Sequence, residues 1–188
     1  MTEFFHFQNN IFAHSVMELK VMPPYYYRDI DWLICPTTHE RLPEDLGFYV
    51  KKGKRWTDII VYNESVTLQF YSQRLIELLS RFIDMDNISY PVHIEGAPFP
   101  YYLMYNLKGY PFVKQNVTKT WPFRFELSET PPALFSVMHS SFCICTRLVK
   151  EALEKAKLTN VSIESCYALT KEEHEKWKEE YGQSDING

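Results

Sequence analysis

The clearest hydrophobic pattern in the chain predicts a helix that begins after Ser72. Apolar residues recur there at i, i+3, i+4, i+7 and i+8, which places them along one side of an α-helix. They are Leu75, Leu78, Leu79, Phe82 and Ile83. The hydroxyl of Ser72 can cap the first turn by accepting a bond from a backbone N–H. β-rich runs at 66–71 and 88–94 flank the helix, so the pattern predicts a strand, helix, strand unit.

A second unit of the same kind follows at an offset of 73 residues. Residues 142–145 and 161–167 predict strands, and an apolar stripe between them predicts the helix. The stripe consists of Leu148, Val149, Ala152, Leu153 and Ala156. At this offset Arg74-Leu75 aligns with Arg147-Leu148, and residues 87–89 (Asn-Ile-Ser) align with 160–162 (Asn-Val-Ser). We interpret the two segments as a repeated supersecondary unit.

The remaining segments are predicted to be strands, turns and one polar helix. Residues 46–50 and 56–62 predict a hairpin across the turn at Lys51 to Lys54. Residues 101–105 and 123–127 predict strands, whose neighbouring prolines favour sheet edges. Residues 170–181 predict a charged helix with Thr170 and Glu173 in capping-box spacing, anchored by Trp177. The Pro-rich and aromatic segment 1–45 predicts loops and short strands, and residues 183–188 a frayed tail.

Together these elements predict one α+β domain over residues 1–188. We expect a mixed, mainly antiparallel sheet, two amphipathic helices on one face in repeated strand-helix-strand units, and a polar C-terminal helix. A length of 188 residues suits a single core. Strand order is left open, because one sequence does not determine it.

Composition and charge exclude several classes of function but do not identify one. Apolar residues make up 45% and charged residues 23% of the chain, as in ordinary globular proteins. The net charge of −4 argues against a nucleic-acid partner bound through a basic face. The sequence shows no secretory leader and no apolar run long enough to span a bilayer, so we expect a cytoplasmic protein with no membrane partner. Phosphate-binding and metalloprotease motifs are absent, and no cofactor is expected.

Cysteine chemistry offers an alternative that the spacing does not favour. Cys143 and Cys145, with His139 and Cys166, could supply zinc ligands, but a Cys-Ile-Cys run in an apolar strand is more simply explained by burial. Cys35, followed by His39 and Glu40, carries no recognisable nucleophile signature. A small thiol- or zinc-dependent hydrolase therefore remains an alternative.

A second alternative is a ligand-binding module with an aromatic pocket. Its wall would be formed by Tyr101, Tyr102 and Trp121, in the aromatic middle of the chain.

Rings and carboxylates in the first 45 residues predict a protein-binding surface. Aromatic side chains anchor protein interfaces, and carboxylates complement a basic partner. The candidate residues are Tyr25, Tyr26, Tyr27, Asp29, Asp31, Trp32, Glu40, Glu44 and Asp45.

The second strand-helix-strand unit resembles bacterial immunity proteins of polymorphic toxin systems, especially the immunity protein 43 and immunity protein 11 groups. The resemblance rests on residues 142–162, which hold the Arg147-Leu148 helix start, and is supported by residues 33–62 and 66–83. It implies a cytoplasmic, non-enzymatic protein without catalytic residues, which neutralises a cognate toxin by direct binding. The acidic charge favours a basic toxin. The oligomeric state is left open.

Overall fold

The computed structural model of the chain describes residues 2–29, 43–63, 65–105, 107–111, 124–127, 129–137 and 143–181. Within these ranges the side chains of residues 65–67, 177, 178, 180 and 181 are not described. The predicted site residues Asp31, Trp32 and Glu40 therefore lie outside the described residues, as do His139, Cys35 and Trp121. The predicted anchor role of Trp177 and the frayed tail at 183–188 lie outside them as well.

Strands and helices both contribute to the described part of the chain, so the fold belongs to the α+β class. The strands are β1 (Thr2–Asn9), β2 (Glu18–Val21), β3 (Gly47–Lys52), β4 (Ile59–Tyr62), β5 (Ser65–Ser72), β6 (Ser89–Ile94), β7 (Tyr101–Met104), β8 (Gly109–Tyr110), β9 (Arg124–Glu126), β10 (Leu134–Val137), β11 (Cys143–Cys145) and β12 (Val161–Leu169). The α-helices whose bounds lie within the described residues are α1 (Gln73–Leu79), α2 (Arg147–Lys155) and α3 (Lys171–Tyr181), and residues 27–29 are also helical.

An open six-stranded sheet has the order β8-β10-β11-β1-β12-β9. Its centre is β1, which is antiparallel to β11 and to β12, so that Phe5 lies opposite both Cys145 and Ser165. The prediction of mostly loops and short strands in the first 45 residues missed this central strand of 8 residues. Both faces of β1 are buried over residues 4–7, and a strand buried on both faces lacks the alternating pattern by which strands are recognised.

A closed barrel forms the second layer, with the order β2-β3-β6-β7-β5-β4. It closes through parallel pairing of β2 with β4, which brings Leu19 opposite Tyr62. The predicted mixed and mainly antiparallel pairing is confirmed. The expectation of one sheet is wrong, because the strands divide between an open sheet and a barrel.

The predicted hairpin between the third and fourth strands is also wrong. β3 and β4 lie on opposite sides of β2, antiparallel and parallel to it respectively. Between them the chain turns at Gly53, which has φ +104°, and passes beside residues 15–17. A Cβ atom at Gly53 would lie 2.2 Å from the carbonyl oxygen of Val16, so this close approach requires glycine.

The two strand-helix-strand segments have a common topology. In the segment β5-α1-β6, the two strands are parallel to each other and separated by β7, which is antiparallel to both. In the segment β11-α2-β12, the same place is taken by β1. The strand that precedes each segment, β4 or β10, pairs antiparallel with its first strand.

Helix α1 follows the predicted pattern closely. Ser72 caps it by accepting a hydrogen bond from the Leu75 N–H at 3.2 Å, and Leu75, Leu78 and Leu79 are buried. The helix ends at Leu79. Phe82 and Ile83 lie beyond its end and pack, partly buried, against the same core.

Helix α2 departs from the prediction at one residue. Val149 and Leu153 are buried, whereas Leu148 is 65% exposed. The cap residue Thr146 lies 74 residues after the cap of α1, not 73. The alignment of Leu75 with Leu148 is therefore wrong by one residue, which is about 100° around the helix axis. At the offset of 74, Leu75 corresponds to Val149 and both are fully buried.

The buried apolar side chains of the described residues form three clusters. One packs both helices against β1 and the outer side of β4 and β5, with Phe7, Ile59 and Leu75 among its members. A second fills the barrel, where the Phe48 and Phe70 ring centroids lie 4.6 Å apart. The third covers the opposite face of the open sheet.

Across the described ranges, no helix has the length and apolar character to cross a membrane.

Candidate protein-binding surface

The segment that follows β2 carries the predicted rings at one end of the barrel. The Met22 N–H donates to the Gly47 carbonyl at 2.8 Å, which fixes the segment beside the start of β3. Tyr27 turns inward and stacks on Tyr62, with 5.4 Å between ring centroids and 20° between planes. Tyr27 therefore packs against the barrel core and does not serve as an exposed anchor.

Three hydrogen bonds link Tyr25 to Asp45 and Tyr26 to Asp29. The Tyr25 hydroxyl donates to Asp45 Oδ1 at 2.6 Å, and this bond raises the pKa of Tyr25 above its ordinary value. The Tyr26 N–H donates to Asp29 Oδ2 at 2.8 Å, while the Asp29 N–H donates to the Tyr26 carbonyl at 3.0 Å. All three bonds link residues that the sequence had grouped by composition alone.

Tyr26 is the exposed ring of this region, with 70% of its surface accessible. Asp29, Glu44 and Asp45 are exposed around it, and Tyr25 is half-buried. We call Tyr25, Tyr26, Asp29, Glu44 and Asp45 the Tyr26 surface. Arg28 is also exposed here, but the three carboxylates leave the surface negative.

The three cysteines in the described part of the chain are all buried. Cys143, Cys145 and Cys166 are free thiols and buried. Burial raises the pKa of each, to about 11 for Cys143 and about 12 for Cys166. Only a thiolate is an effective nucleophile or metal ligand. No cluster of three His, Cys, Asp or Glu residues suited to a metal occurs in the described ranges, which exclude His139.

The aromatic pocket is placed differently from the prediction. Tyr101 is 1% exposed and donates to the Thr57 carbonyl at 2.7 Å, and Tyr102 is half-buried. Tyr101 is thus part of the barrel core rather than a pocket wall. An open cleft lies next to it, lined by Trp56 and Phe99 together with polar side chains.

A buried carboxylate in this cleft was missed by the sequence analysis. Asp58 is 6% exposed and accepts hydrogen bonds from Ser72 Oγ at 2.7 Å and from the Thr159 N–H and Oγ1 at 2.7 and 2.9 Å. Arg74 Nη1 lies 3.7 Å from its Oδ2. The carboxylate joins the barrel to the segment that leads into β12. Its partners Ser72 and Thr159 are 14 and 101 residues away, so no local motif could have revealed it.

Comparison with known proteins adds no family to this description. The chain has no match among protein-family models and no significant match among curated proteins.

Proposed function

We propose that this protein is a non-enzymatic binding protein that neutralises a cognate bacterial toxin, and that the Tyr26 surface is its contact site. The observation that carries the proposal is the exposed Tyr26 ring, held in a hydrogen-bonded turn by Asp29 and flanked by further carboxylates. A tyrosine side chain has only two rotatable χ angles and so loses little conformational entropy on binding, which makes it a suitable interface anchor.

The charge of the Tyr26 surface favours a basic toxin. The Tyr25–Asp45 bond joins the segment that holds Asp29 to the segment that holds Glu44 and Asp45, and all three carboxylates are exposed. Such a group accelerates association with a positive partner, and salt weakens the effect by screening. We therefore expect association with the toxin to be faster at low salt than at high salt.

The resemblance to immunity proteins supports the same function. We include in the proposal that the two strand-helix-strand segments are copies of one unit, since they share topology and buried positions such as Leu75 and Val149. We also propose that α3 is a solvated polar helix. Its capping box joins the Thr170 N–H to Glu173 Oε2 at 2.9 Å and the Glu173 N–H to Thr170 Oγ1 at 3.2 Å. A hydrolase has less support, because its described thiols are buried with raised pKa values.

The test begins with purification of the tagged protein from its native cells. Mass spectrometry should identify a basic protein that copurifies in equimolar amount, and that protein should stop growth when it is produced alone. Association rate constants are then measured at low and high salt for wild type, Glu44→Lys and Glu179→Lys. Both residues are exposed, and Glu179 lies on α3, away from the Tyr26 surface.

We expect Glu44→Lys to slow association at low salt and Glu179→Lys to have a smaller effect, since opposite charges steer association only over about a Debye length. A copurifying protein that leaves growth unaffected would contradict the proposed function. Equal association rates at both salt concentrations would contradict its electrostatic part. An enzymatic activity lost on alkylation would instead favour the hydrolase.

A further inference from the structure

A turn after β1 presents two apolar side chains to solvent. Ile11 is 67% exposed and Phe12 is 80% exposed. The turn is ordered by hydrogen bonds: the Phe12 N–H donates to Asn10 Oδ1 at 3.0 Å, and the Ala13 N–H donates to the Asn10 carbonyl at 2.9 Å. The Asn10 N–H in turn donates to Asn160, at the start of β12. The fold therefore holds Ile11 and Phe12 outward in a defined turn.

Four cations lie on the neighbouring turn, which is attached to the same loop. They are Lys51, Lys52, Lys54 and Arg55, and all four are exposed. The N–H groups of Lys54 and Arg55 both donate to the Ser15 carbonyl at 2.9 Å. Ile11, Lys52 and Lys54 are among the residues that line one surface groove.

Little of this positive charge is neutralised within the described residues. Lys52 pairs with Glu18 at 3.0 Å. No other ion pair to Lys51, Lys54 or Arg55 occurs among the described side chains. Although the chain as a whole is acidic, this end of the barrel is positive. The Tyr26 surface lies at the other end, because β3 runs from Gly47, beside Met22, to Lys52.

We propose that the Ile11-Phe12 turn and these four cations form a docking surface for an anionic lipid bilayer. Protruding apolar side chains can enter the interfacial region of a bilayer, and cations beside them attract anionic headgroups. An acidic protein would also match the charge, but Ile11 and Phe12 protrude from the surface, whereas a protein partner requires an extended complementary face. Docking in this orientation leaves the Tyr26 surface directed away from the bilayer. This proposal departs from the sequence-based expectation of no membrane partner.

Vesicle cosedimentation tests the proposal with the full chain. The vesicles contain phosphatidylcholine with about 30 mol % phosphatidylserine, and phosphatidylcholine alone serves as the neutral comparison. Each cation at an anionic surface strengthens binding about fivefold, so Lys51→Glu with Lys54→Glu should weaken it by about 25-fold or more. Phe12→Ser should weaken binding about tenfold.

Matched variants on other surfaces separate docking from general effects. Leu148→Ser removes an apolar side chain of similar exposure from α2, and Lys171→Glu with Lys176→Glu makes the same charge change on α3. Helix α3 follows the end of β12 that is about 30 Å from Asn160, given the rise of a nine-residue strand. Both controls should bind as wild type does, and circular dichroism should show every variant folded.

Three results would overturn the proposal. They are failure to bind anionic vesicles at low salt, equal loss of binding in the test and control variants, and binding to polyglutamate without binding to vesicles. The last result would assign the surface to an acidic protein.

Discussion

Replacement of Asp58 by alanine should destabilise the protein strongly, because this carboxylate links the barrel to the open sheet. Asp58 is 6% exposed and accepts three hydrogen bonds, from Ser72 Oγ and from the N–H and Oγ1 of Thr159. Arg74 adds an ion pair at 3.7 Å, but its own side chain is 58% exposed, so we count little for it.

The magnitude follows from these contacts. A hydrogen bond to a charged group contributes about 1.5–3 kcal/mol, and removal of one partner from a buried charged network costs about 3–5 kcal/mol. Thr159 is exposed, so water can replace part of what its groups lose. We therefore expect Asp58→Ala to lower the free energy of unfolding by about 3 kcal/mol. Thr159→Val, which removes only the hydroxyl, should cost about 1 kcal/mol.

Urea unfolding of the single and double variants gives the direct measurement. Because Asp58 and Thr159 are in contact, the double variant should be less destabilised than the sum of the single variants, by about 1 kcal/mol. Asp86→Ala, at an exposed aspartate, is the control and should change stability by less than about 0.5 kcal/mol. A cost below about 1 kcal/mol for Asp58→Ala, or additive effects, would refute this account.

Three further predictions concern the glycine turn, the second helix and a buried histidine. Gly53→Ala should lower the free energy of unfolding, measured by thermal unfolding, by more than about 3 kcal/mol, because its Cβ would lie 2.2 Å from a backbone oxygen. Gly96→Ala, with φ +74° and open space around it, should lower it by about 1 kcal/mol. Equal losses for the two variants would contradict the turn geometry. Val149→Ala should destabilise by about 2 kcal/mol and Leu148→Ala by less than about 0.5 kcal/mol, and the reverse order would contradict the burial of Val149 and the exposure of Leu148. Burial lowers the pKa of His6 from 6.5 to about 4, so the unfolded state binds more protons than the folded state between these pH values. The free energy of unfolding should therefore fall by roughly 3 kcal/mol from pH 7 to pH 4. His6→Asn should lose that part of the pH dependence, and an unchanged pH profile in this variant would contradict the prediction.

The sequence was most informative where a signal was local. Ser72 and the apolar spacing after it predicted the start and the buried side of α1, because a cap and a helical stripe involve residues within a few turns of each other. The same reasoning gave the capping box at Thr170 and Glu173. It was wrong at Leu148, which is apolar and precedes buried Val149 but lies on the exposed side of α2. The alignment of the two units by residue identity was also one residue away from the offset between the two caps.

The sheet arrangement could not be predicted, because it depends on pairing between distant segments. β1 occupies the centre of the open sheet, between strands that begin more than 130 residues later. The barrel closes through parallel contacts of β2 with β4, and no turn signal marks such contacts. Asp58 was overlooked for the same reason, since its position matters only once Thr159 is beside it.

For the candidate site, composition identified the region but not the role of each ring. Three consecutive tyrosines differ because the backbone turns between them: Tyr25 bonds Asp45, Tyr26 faces solvent and Tyr27 stacks on Tyr62. The pairing of Tyr25 with Asp45 joins segments on either side of residues 30–42 and has no local sequence signal.

The most direct test of the proposed function is the growth of cells that produce the copurifying partner. Wild-type protein and Leu148→Ser should both restore growth, whereas Tyr26→Ser should fail or restore it weakly, since loss of an interface anchor costs about 2 kcal/mol or more of binding free energy. Leu148 is the matched control because it is 65% exposed, against 70% for Tyr26, and lies on α2. Full rescue by Tyr26→Ser, or no rescue by the wild-type protein, would contradict the account.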